Sequence, residues 1–400
     1  MSDIRTVKGL DSRHKRVIVR VDFNVPIKDG AVADDTRIRA ALPTIRYLLA
    51  GESKVILMSH LGRPSGTGYE EAYSLAPVAV RLAELLGRPV IFAADTIGED
   101  AQAKAAALKD GEVLLLENLR FDKREKKNDP AFAEALARLA DIYVNDAFGT
   151  AHRAHASTAG ITAFLPSYAG FLLAGEVRTL TGMLEAPERP FVAVLGGSKV
   201  SDKIKVITAL LDKCDTLIIG GGMCFTFLAA KGFGVGKSLV EPDWIDAAKQ
   251  MMADAEAKGV KLLLPVDVVV ADAFAADANA AIVAADAIPE GMMGLDIGPE
   301  TAIIYAAAVN AGQTVFWNGP MGVFEWNRFA GGTLAVAQAM AALHGEEGVQ
   351  TVIGGGDSVA AANKFGLSEY MTFISTGGGA SMELVQGEKL PGVEALRKEA

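Results

Sequence analysis

The stretch FVAVLGGSKV at residues 191–200 joins an unbroken apolar run, Phe191–Leu195, to a glycine-rich turn, and a helical pattern follows over Asp202–Leu211. A short continuous apolar run bounded by glycine is typical of a strand that is buried on both faces of a parallel sheet. The stretch therefore predicts an α/β fold in which helices cover both faces of a parallel sheet.

The same alternation runs along the whole chain. Segments of helical length separate short apolar runs, and only the Ala/Asp-rich Ala271–Ala287 reads as a solvated excursion, to which we assign no function. The candidate strands are Val17–Val21, Lys54–Ser59, Val113–Leu116, Ile142–Asn145, Phe191–Leu195, Thr216–Ile219, Lys261–Leu264, Val315–Trp317, Thr351–Ile353 and Met371–Ile374.

Length and composition indicate two globular domains. The chain has 400 residues, half of them hydrophobic and 22% charged, which is more than one ordinary core holds. Two prolines in residues 185–190 (EAPERP) follow a long helical pattern at Gly170–Leu184, so we place the boundary near residue 185. Of the 18 arginines, 16 precede residue 190, so the boundary also separates an arginine-rich half from an arginine-poor half.

Charge and cysteine content exclude several classes of protein. The net charge of −10 argues against general nucleic-acid binding, which requires a basic surface. Two cysteines, Cys214 and Cys224, form neither a disulfide framework nor a zinc site by themselves. No apolar signal core opens the chain, and no apolar run is long enough for a membrane span. We expect a cytoplasmic protein with neither nucleic acid nor membrane as a partner.

The first four candidate strands end in basic or amide-bearing loops. Because the carboxyl ends of parallel strands share one edge of a sheet, we expect these basic side chains to converge there. Several guanidiniums at one place favour a ligand with more negative charge than one carboxylate carries. The converging residues are Arg37, Arg63, Arg120 and Arg153.

Two features beside these loops, a histidine pair and a charge run, are interpreted without a metal site. His152 and His155 lack the further ligands that a zinc site needs, so we interpret them as structural or anion-contacting histidines. The charge run Asp122–Asn128 is interpreted as a solvated face.

Strands of the second half end in glycine clusters instead, as at Gly220–Gly222, Gly354–Gly356 and Gly377–Gly379. A glycine-rich turn that opens a helix offers free backbone N–H groups and the positive end of the helix dipole to phosphates. Lys199 and Lys203, four residues apart at a predicted helix start, are expected on one face of that helix.

Two further patterns in the second half bear on nucleotide binding. Asp357 is either a helix N-cap or a Mg²⁺ ligand, and its glycine neighbours favour the metal. A Walker loop is absent, because Lys231 stands where the motif before Gly236-Lys237-Ser238 requires glycine.

These motifs, in this order and over essentially the whole chain, resemble the phosphoglycerate kinase family. The resemblance lies in RVDFNVP at residues 20–26, HLGR at 60–63, ENLRF at 117–121, DAFGTAHR at 146–153, GGSK at 196–199, WNGP at 317–320, GGGD at 354–357 and STGGGA at 375–380. Ser198 and Ser358 are mild departures from the residues that relatives often carry.

The resemblance implies an α/β fold of two Rossmann-like doubly wound domains, each with a central parallel sheet flanked by helices, joined by a hinge helix. It implies residues 1–170 plus 388–400 as a phosphoglycerate-binding domain, 171–187 as interdomain helix and hinge, and 188–387 as a nucleotide-binding domain. In this arrangement the C-terminal stretch Pro391–Leu396 returns to pack on the first domain.

The resemblance also implies reversible phosphoryl transfer from 1,3-bisphosphoglycerate to ADP, giving 3-phosphoglycerate and ATP, in glycolysis and gluconeogenesis. Mg²⁺ would accompany the nucleotide, with Asp357 as its ligand, and the protein would be a monomer. The implied catalytic residues are Arg37, Lys199 and Gly378. The implied substrate-binding residues are Asp22, Phe23, Asn24, Arg37, His60, Leu61, Gly62, Arg63, Arg120 and Arg153. The implied nucleotide-binding residues are Gly196, Lys203, Gly221, Gly294, Asn318, Glu325, Gly355, Gly356, Asp357 and Ser358.

The chemistry of these residues agrees with an acceptor that needs no general base, since a carboxylate is already ionised near neutral pH. Because the two clusters belong to different domains, we expect hinge closure to bring the reacting groups together. Two alternatives are another carboxylate kinase and a silent nucleotide-binding scaffold. The scaffold predicts loss of Lys199, Lys203 or Asp357, and all three are present.

Overall fold

The computed structural model describes residues 4–397. The chain forms two compact units, one of which runs up to Arg178 and takes in the C-terminal residues from Lys389, while the other comprises Thr179–Glu388. No helix within residues 4–397 combines the length and the apolar character that crossing a bilayer requires.

The first unit is built on a six-stranded sheet in which every pairing is parallel. A short antiparallel hairpin, β2–β3, stands apart from it. The strands are β1 (Arg16–Arg20), β2 (Ile27–Lys28), β3 (Ala31–Val32), β4 (Lys54–Met58), β5 (Ile91–Phe92), β6 (Val113–Leu115), β7 (Ile142–Asn145) and β8 (Ser167–Ala169). The order across the sheet is β5-β6-β4-β1-β7-β8.

Helices follow these strands because their apolar residues recur at helical spacing. In the first helix, Ile38, Leu42 and Ile45 are buried and pack in one cluster with Val17 and Val19 of β1, as expected of a helix that covers a sheet. The helices are α1 (Thr36–Ala50), α2 (Ala76–Leu86), α3 (Glu99–Ala107), α4 (Pro130–Ala137) and α5 (Phe171–Glu185). The last of these continues past Arg178, where the first unit ends.

The second unit also contains a six-stranded parallel sheet, with the order β11-β10-β9-β15-β16-β17. Its strands are β9 (Phe191–Leu195), β10 (Thr216–Ile219), β11 (Lys261–Leu263), β12 (Asp267–Ala271), β13 (Ala280–Ala284), β14 (Met293–Ile297), β15 (Thr314–Asn318), β16 (Gln350–Ile353) and β17 (Phe373–Ile374). Its helices are α6 (Ile204–Leu211), α7 (Cys224–Ala230), α8 (Ile245–Ala257), α9 (Pro299–Asn310), α10 (Gly331–Ala342), α11 (Gly356–Lys364) and α12 (Gly379–Val385).

The strand order fixes where a ligand site forms in each unit. Counting only the strands of the parallel sheet, the second unit has the order 3-2-1-4-5-6 of doubly wound dinucleotide-binding folds. The chain leaves β9 toward β10 on one side and returns to β15 on the other side. In the first unit, β4 and β7 flank β1 in the same way. Such a reversal opens a crevice at the carboxyl ends of the strands.

The expected fold class is confirmed, and all ten candidate strands belong to the two parallel sheets. The segment Ala271–Ala287 is largely exposed and lies outside the parallel sheets, as expected of a solvated excursion. It is nevertheless regular structure, because Ala280–Ala284 is strand β13 of a three-stranded antiparallel sheet, β13-β12-β14. The outer strand β13 is largely exposed, so its composition lacks the apolar signature of a buried strand. Six further strands were also not predicted, namely β2, β3, β5, β8, β12 and β14.

The C-terminal residues form a short helix, α13 (Pro391–Glu394), that lies against the first unit. Gly392 N donates to Ala151 O over 2.8 Å, and Asn145 Nδ2 donates to Gly392 O over 3.4 Å. These bonds join the end of the chain to the loop that follows β7.

Candidate active site

The loop after β1 and the first turn of α1 meet at the carboxyl edge of the first sheet. Arg37 Nη1 donates to Asp22 Oδ2 over 3.1 Å and to Asn24 O over 3.2 Å. The carboxylate of Asp22 is nearly buried, whereas the Arg37 side chain is 39% exposed. The nearly buried Asp22 carboxylate therefore fixes the orientation of the half-exposed Arg37 guanidinium.

Gly62 connects three of the strand-end loops. Its N–H donates to Asn24 Oδ1 over 2.9 Å, and its carbonyl accepts from Arg120 Nη1 over 2.7 Å. Its φ of +62° is in the left-handed region, and a Cβ at this position would collide with the Tyr73 ring. Only glycine satisfies both conditions, so one residue ties together the loops after β1, β4 and β6.

His60 follows β4 and is buried against Arg20. Arg20 Nη2 lies 3.0 Å from His60 Nδ1. Burial, followed by the positive charge of Arg20, holds the pKa of His60 well below its ordinary value. His60 is therefore neutral at physiological pH.

Arg120 lies in the same electrostatic environment. Burial, with the charge of Arg20 as the next cause, lowers the pKa of Arg120 to about 10. Its Nε is buried and has no hydrogen-bond partner among residues 4–397. The guanidinium thus keeps unused donor capacity beside the loop that Gly62 holds.

Arg63 and Arg153 are exposed at the same set of loops. Arg153 Nε donates to His152 Nε2 over 3.0 Å. His155 is buried, and burial together with Arg20 lowers its pKa to about 4. Within the described part of the chain, no group of three His, Cys, Asp or Glu side chains is arranged to hold a metal.

Phe23 and Leu61 are members of the hydrophobic core of the first unit. Phe23 N donates to Ser59 Oγ over 2.9 Å, and Leu61 N donates to Asn118 Oδ1 over 3.2 Å. The buried side chains of Phe23 and Leu61 therefore anchor the loops after β1 and β4 to the hydrophobic core.

The interpretation of Asp122–Asn128 as a solvated face is wrong for one residue. Lys123, Lys126 and Lys127 are exposed, but Glu125 is 1% exposed and lies inside the unit. Its carboxylate accepts from Ser157 N over 3.0 Å and from Ser157 Oγ over 2.5 Å. A charge run does not reveal which of its members turns inward, since that depends on a partner 32 residues away.

In the second unit, the glycine loops after β9, β10 and β15 pack backbone against backbone. A Cβ on Gly196 would lie 2.6 Å from Gly319 O, and one on Gly221 would lie 2.6 Å from Gly197 N. The N–H of Gly196 donates to Asn318 O, and that of Gly221 donates to Met321 O. The expectation of free N–H groups is therefore wrong at these two positions, because the loops use them to bind one another.

Free N–H groups are found instead at the start of α11. Gly355 is its N-cap, with φ +89°, and no side chain caps the helix. Asp357 lies in the first turn and is exposed, so it is not the N-cap. A helix that begins without a side-chain cap presents its first N–H groups to a ligand.

Lys203 reaches this helix start through Asn318. Lys203 Nζ donates to Asn318 Oδ1, and Asn318 Nδ2 donates to Gly354 O over 2.6 Å. Burial lowers the pKa of Lys203. A Cβ on Gly355 would collide with Asn318 Nδ2. The Asn318 side chain therefore packs tightly against the turn before α11 and holds Lys203 beside it.

Lys199 and Lys203 do not share a helix face, because α6 begins only at Ile204. Both lysines lie in the turn before it, and Lys199 is exposed. Ser201 anchors this turn, since its N and Oγ donate to the Glu241 carboxylate over 3.0 and 2.6 Å.

The other residues proposed for the nucleotide have varied surroundings. Ser358 is buried, and its Oγ accepts from Gly319 N over 2.5 Å. Gly294 N donates to Ser238 Oγ over 2.9 Å, and a Cβ there would collide with the Phe225 ring. Glu325 is exposed, and Gly378, with φ +52° and open space around it, is the N-cap of α12.

Comparison with known proteins agrees with these features. The family model described as phosphoglycerate kinase matches residues 7–388. The phosphoglycerate kinase of Moorella thermoacetica is 60% identical over 391 residues, which cover 98% of each chain. The enzyme of Arabidopsis thaliana named phosphoglycerate kinase 3, cytosolic, is 58% identical over 98% of each chain. The structure of phosphoglycerate kinase from Coxiella burnetii superposes with a TM-score of 0.90 at 44% identity, covering 98% of each chain.

Fold and family comparisons define a two-unit α/β phosphotransferase, with arginines at the carboxyl edge of one sheet and an uncapped helix start in the other unit. The chain belongs to the phosphoglycerate kinase family. The family resemblance drawn from the motifs is thereby confirmed.

Proposed function

We propose that the first unit binds 3-phosphoglycerate or 1,3-bisphosphoglycerate and that the second binds ATP or ADP with Mg²⁺. The observation that carries this assignment is that the two sites differ in chemistry. Guanidiniums gather around Gly62 in one unit, and an uncapped helix start with Lys203 lies in the other.

The phosphoglycerate is expected to contact Arg37, Arg63, Arg120 and Arg153. Two of these arginines are exposed and Arg37 is half-exposed, so their charges are available to an anion. Asn24 and His60 add uncharged polar groups, and Asp22 orients Arg37 as a hydrogen-bond acceptor. A ligand with a phosphate at one end and a carboxylate at the other matches several separated guanidiniums.

The nucleotide phosphates are expected at the start of α11, where Gly356 and Asp357 present backbone N–H groups. Lys203, held by Asn318, supplies the fixed positive charge. The backbones of Gly196 and Gly221 shape this loop cluster rather than donate to the ligand.

The residues present fit a magnesium ion that arrives with the nucleotide. Mg²⁺ in nucleotide sites binds through one or two carboxylates plus phosphates and waters, and Asp357 is one exposed carboxylate beside the proposed phosphate site. When bound, Mg²⁺ would neutralise part of the phosphate charge. Asp357 would hold it without further acidic ligands.

Arg37, Lys199 and Gly378 are proposed to stabilise the phosphoryl group in transfer. Lys199 is exposed on a turn anchored by Glu241, and Gly378 begins an uncapped helix. None of the three is a carboxylate or a histidine, in agreement with a carboxylate acceptor that needs no general base.

Because the two sites lie in different units, turnover is proposed to require hinge closure, with α5 as the connecting helix. A monomer in the cytoplasm, without nucleic-acid or membrane partners, is sufficient for this chemistry. X-ray scattering with both substrates should show compaction. Unchanged scattering, together with full turnover of a chain cross-linked between its units, would contradict hinge closure.

A coupled assay of ADP formation tests the proposed reaction. ATP with Mg²⁺ should support rapid turnover of 3-phosphoglycerate and far slower turnover of unphosphorylated acids such as glycerate or acetate. Equal rates with an unphosphorylated acid would favour another carboxylate kinase. Nucleotide binding without turnover of any acid would favour a silent scaffold.

A further inference from the structure

Arg20, at the end of β1, is a charged side chain inside the first unit, only 1% exposed. Its guanidinium bonds to Val21 O, to Ser157 Oγ over 2.9 Å and to His60 Nδ1 over 3.0 Å. A guanidinium has donors only and is charged at every physiological pH. Each of its three partners must therefore accept, and His60 Nδ1 carries no proton.

The proton of His60 is consequently on the other ring nitrogen. Burial and the neighbouring arginines keep the pKa of His60 well below its ordinary value, so the imidazole is neutral. A neutral imidazole with a bare Nδ1 is protonated on Nε2. Within residues 4–397 the His60 ring takes part in one hydrogen bond, the one from Arg20 to Nδ1, and Nε2 takes part in none. The Nε2–H group is thus available to a ligand.

The orientation of Arg20 depends on a second buried charge. Ser157 Oγ accepts from Arg20 Nε, so its own proton points to Glu125 Oε1, 2.5 Å away. Ser157 N donates to the other carboxylate oxygen over 3.0 Å. Glu125 is 1% exposed, and a buried carboxylate of this kind offsets the cost of burying Arg20. The chain of bonds runs from Glu125 through Ser157 and Arg20 to His60.

We propose that Arg20, held by Ser157 and Glu125, is a positioning residue that fixes His60 as a neutral imidazole protonated on Nε2. His60 then donates a hydrogen bond to a carboxylate or phosphate oxygen of the bound anion. The identity of that anion rests on the proposed function, whereas the tautomer of His60 does not. His60 Nε2–H is then a hydrogen-bond donor of fixed direction, and the imidazole stays neutral throughout the reaction.

Nitrogen-15 NMR of the full chain labelled at histidine tests the tautomer in the absence of any ligand. The chain has five histidines, and the signal lost in His60→Gln assigns His60. One ring nitrogen should be bare and Nε2 protonated, without change between about pH 5.5 and about pH 8. A proton on Nδ1, or an imidazolium in this range, overturns the proposal.

Ser157→Ala tests the link from Glu125 to His60. The variant should shift the Nδ1 signal of His60 and raise the KM for 3-phosphoglycerate about tenfold, the worth of one well-placed hydrogen bond to a charged group. The kcat should change less than about twofold, because the lost contact is the same in ground and transition states. Glu125→Gln, which keeps the side-chain volume, should act in the same direction and replaces Ser157→Ala if that variant does not fold.

Ser53→Ala is the matched control. Ser53 is buried and shares a 2.7 Å hydrogen bond with Ser12, but it precedes β4 and so lies at the opposite edge of the sheet from His60. It should alter neither the His60 signals nor the KM. A folded Ser157→Ala variant with the His60 signals and KM of the unmodified chain overturns the proposal. If the tautomer is as described but 3-phosphoglycerate does not bind, the proposed function fails and the inference about His60 stands.

Discussion

Asp146 caps the helix that leaves the first unit: its Oδ1 accepts the backbone N–H of Leu172 over 2.9 Å. The same oxygen accepts from Leu173 N over 3.3 Å. A Cβ on Gly170 would collide with the Asp146 carboxylate. The residue that follows β7 and opens the loop to Arg153 therefore also fixes the start of α5. A change at this carboxylate therefore affects both the loop that leads to Arg153 and the start of helix α5.

Asp146→Asn is expected to alter the pH dependence of stability. Burial raises the pKa of Asp146 to about 6, above the value of about 3.9 in the unfolded chain. The folded state then binds more protons between these values, so stability falls as pH rises from about 4 to about 6. Asparagine cannot titrate, and relative to the unmodified chain the variant should gain about 2–3 kcal/mol over this interval.

Urea unfolding at several pH values measures this difference. The exposed Glu346→Gln should leave the pH dependence unchanged. A constant offset between Asp146→Asn and the unmodified chain from about pH 4 to about pH 7 would show that Asp146 does not titrate with a raised pKa.

Gly62→Ala should weaken binding of 3-phosphoglycerate. The new methyl group meets the Tyr73 ring at a φ of +62°, which displaces the loop that binds Asn24 and Arg120. We expect the dissociation constant to rise at least about tenfold, equivalent to about 1.4 kcal/mol. Calorimetric titration measures it.

Gly87→Ala is the control, because Gly87 has a φ of +65° and open space around its Cβ position. Both alanines carry similar backbone strain of about 1 kcal/mol. Equal loss of affinity for 3-phosphoglycerate in the two variants would show that backbone strain lowers the affinity and that the contact with the Tyr73 ring does not.

Lys199→Ala should lower kcat far more than it weakens ATP binding. Its proposed contact with the phosphoryl group strengthens in the transition state, so the loss should appear in kcat, by about 100-fold or more. Steady-state kinetics and nucleotide titration separate the two effects. Lys205, which is exposed on α6 and paired with Glu388, provides a control that should change neither. Unchanged turnover with weaker ATP binding would assign Lys199 to binding alone.

Asn318→Ala should weaken nucleotide binding and leave the binding of 3-phosphoglycerate unchanged. The substitution removes the acceptor that holds Lys203 and the donor to Gly354 O. We expect the ATP dissociation constant to rise about tenfold, as for the loss of one charge-assisted hydrogen bond. Asn310→Ala at the end of α9 is the control. Normal ATP affinity in Asn318→Ala would mean that Lys203 does not depend on the amide.

The sequence alone predicted ten of the twelve strands of the two parallel sheets, the loops at their carboxyl ends and the family. Continuous apolar runs such as Phe191–Leu195 have a local cause, because each residue of a strand buried on both faces must be apolar. Glycine and arginine at strand ends are also local features, and their order along the chain carried the family resemblance. Strand β13, which is exposed, lacked this signal.

Only the tertiary structure decided which polar groups turn inward and which amides remain free. Glu125 looked solvated until its partner Ser157 was in place, and the amides of Gly196 and Gly221 looked free until the facing loops used them. The same holds for the bond from Arg20 to His60, which joins residues 40 positions apart. Burial and hydrogen bonding between distant residues depend on how the elements pack, and no pattern within one element encodes them.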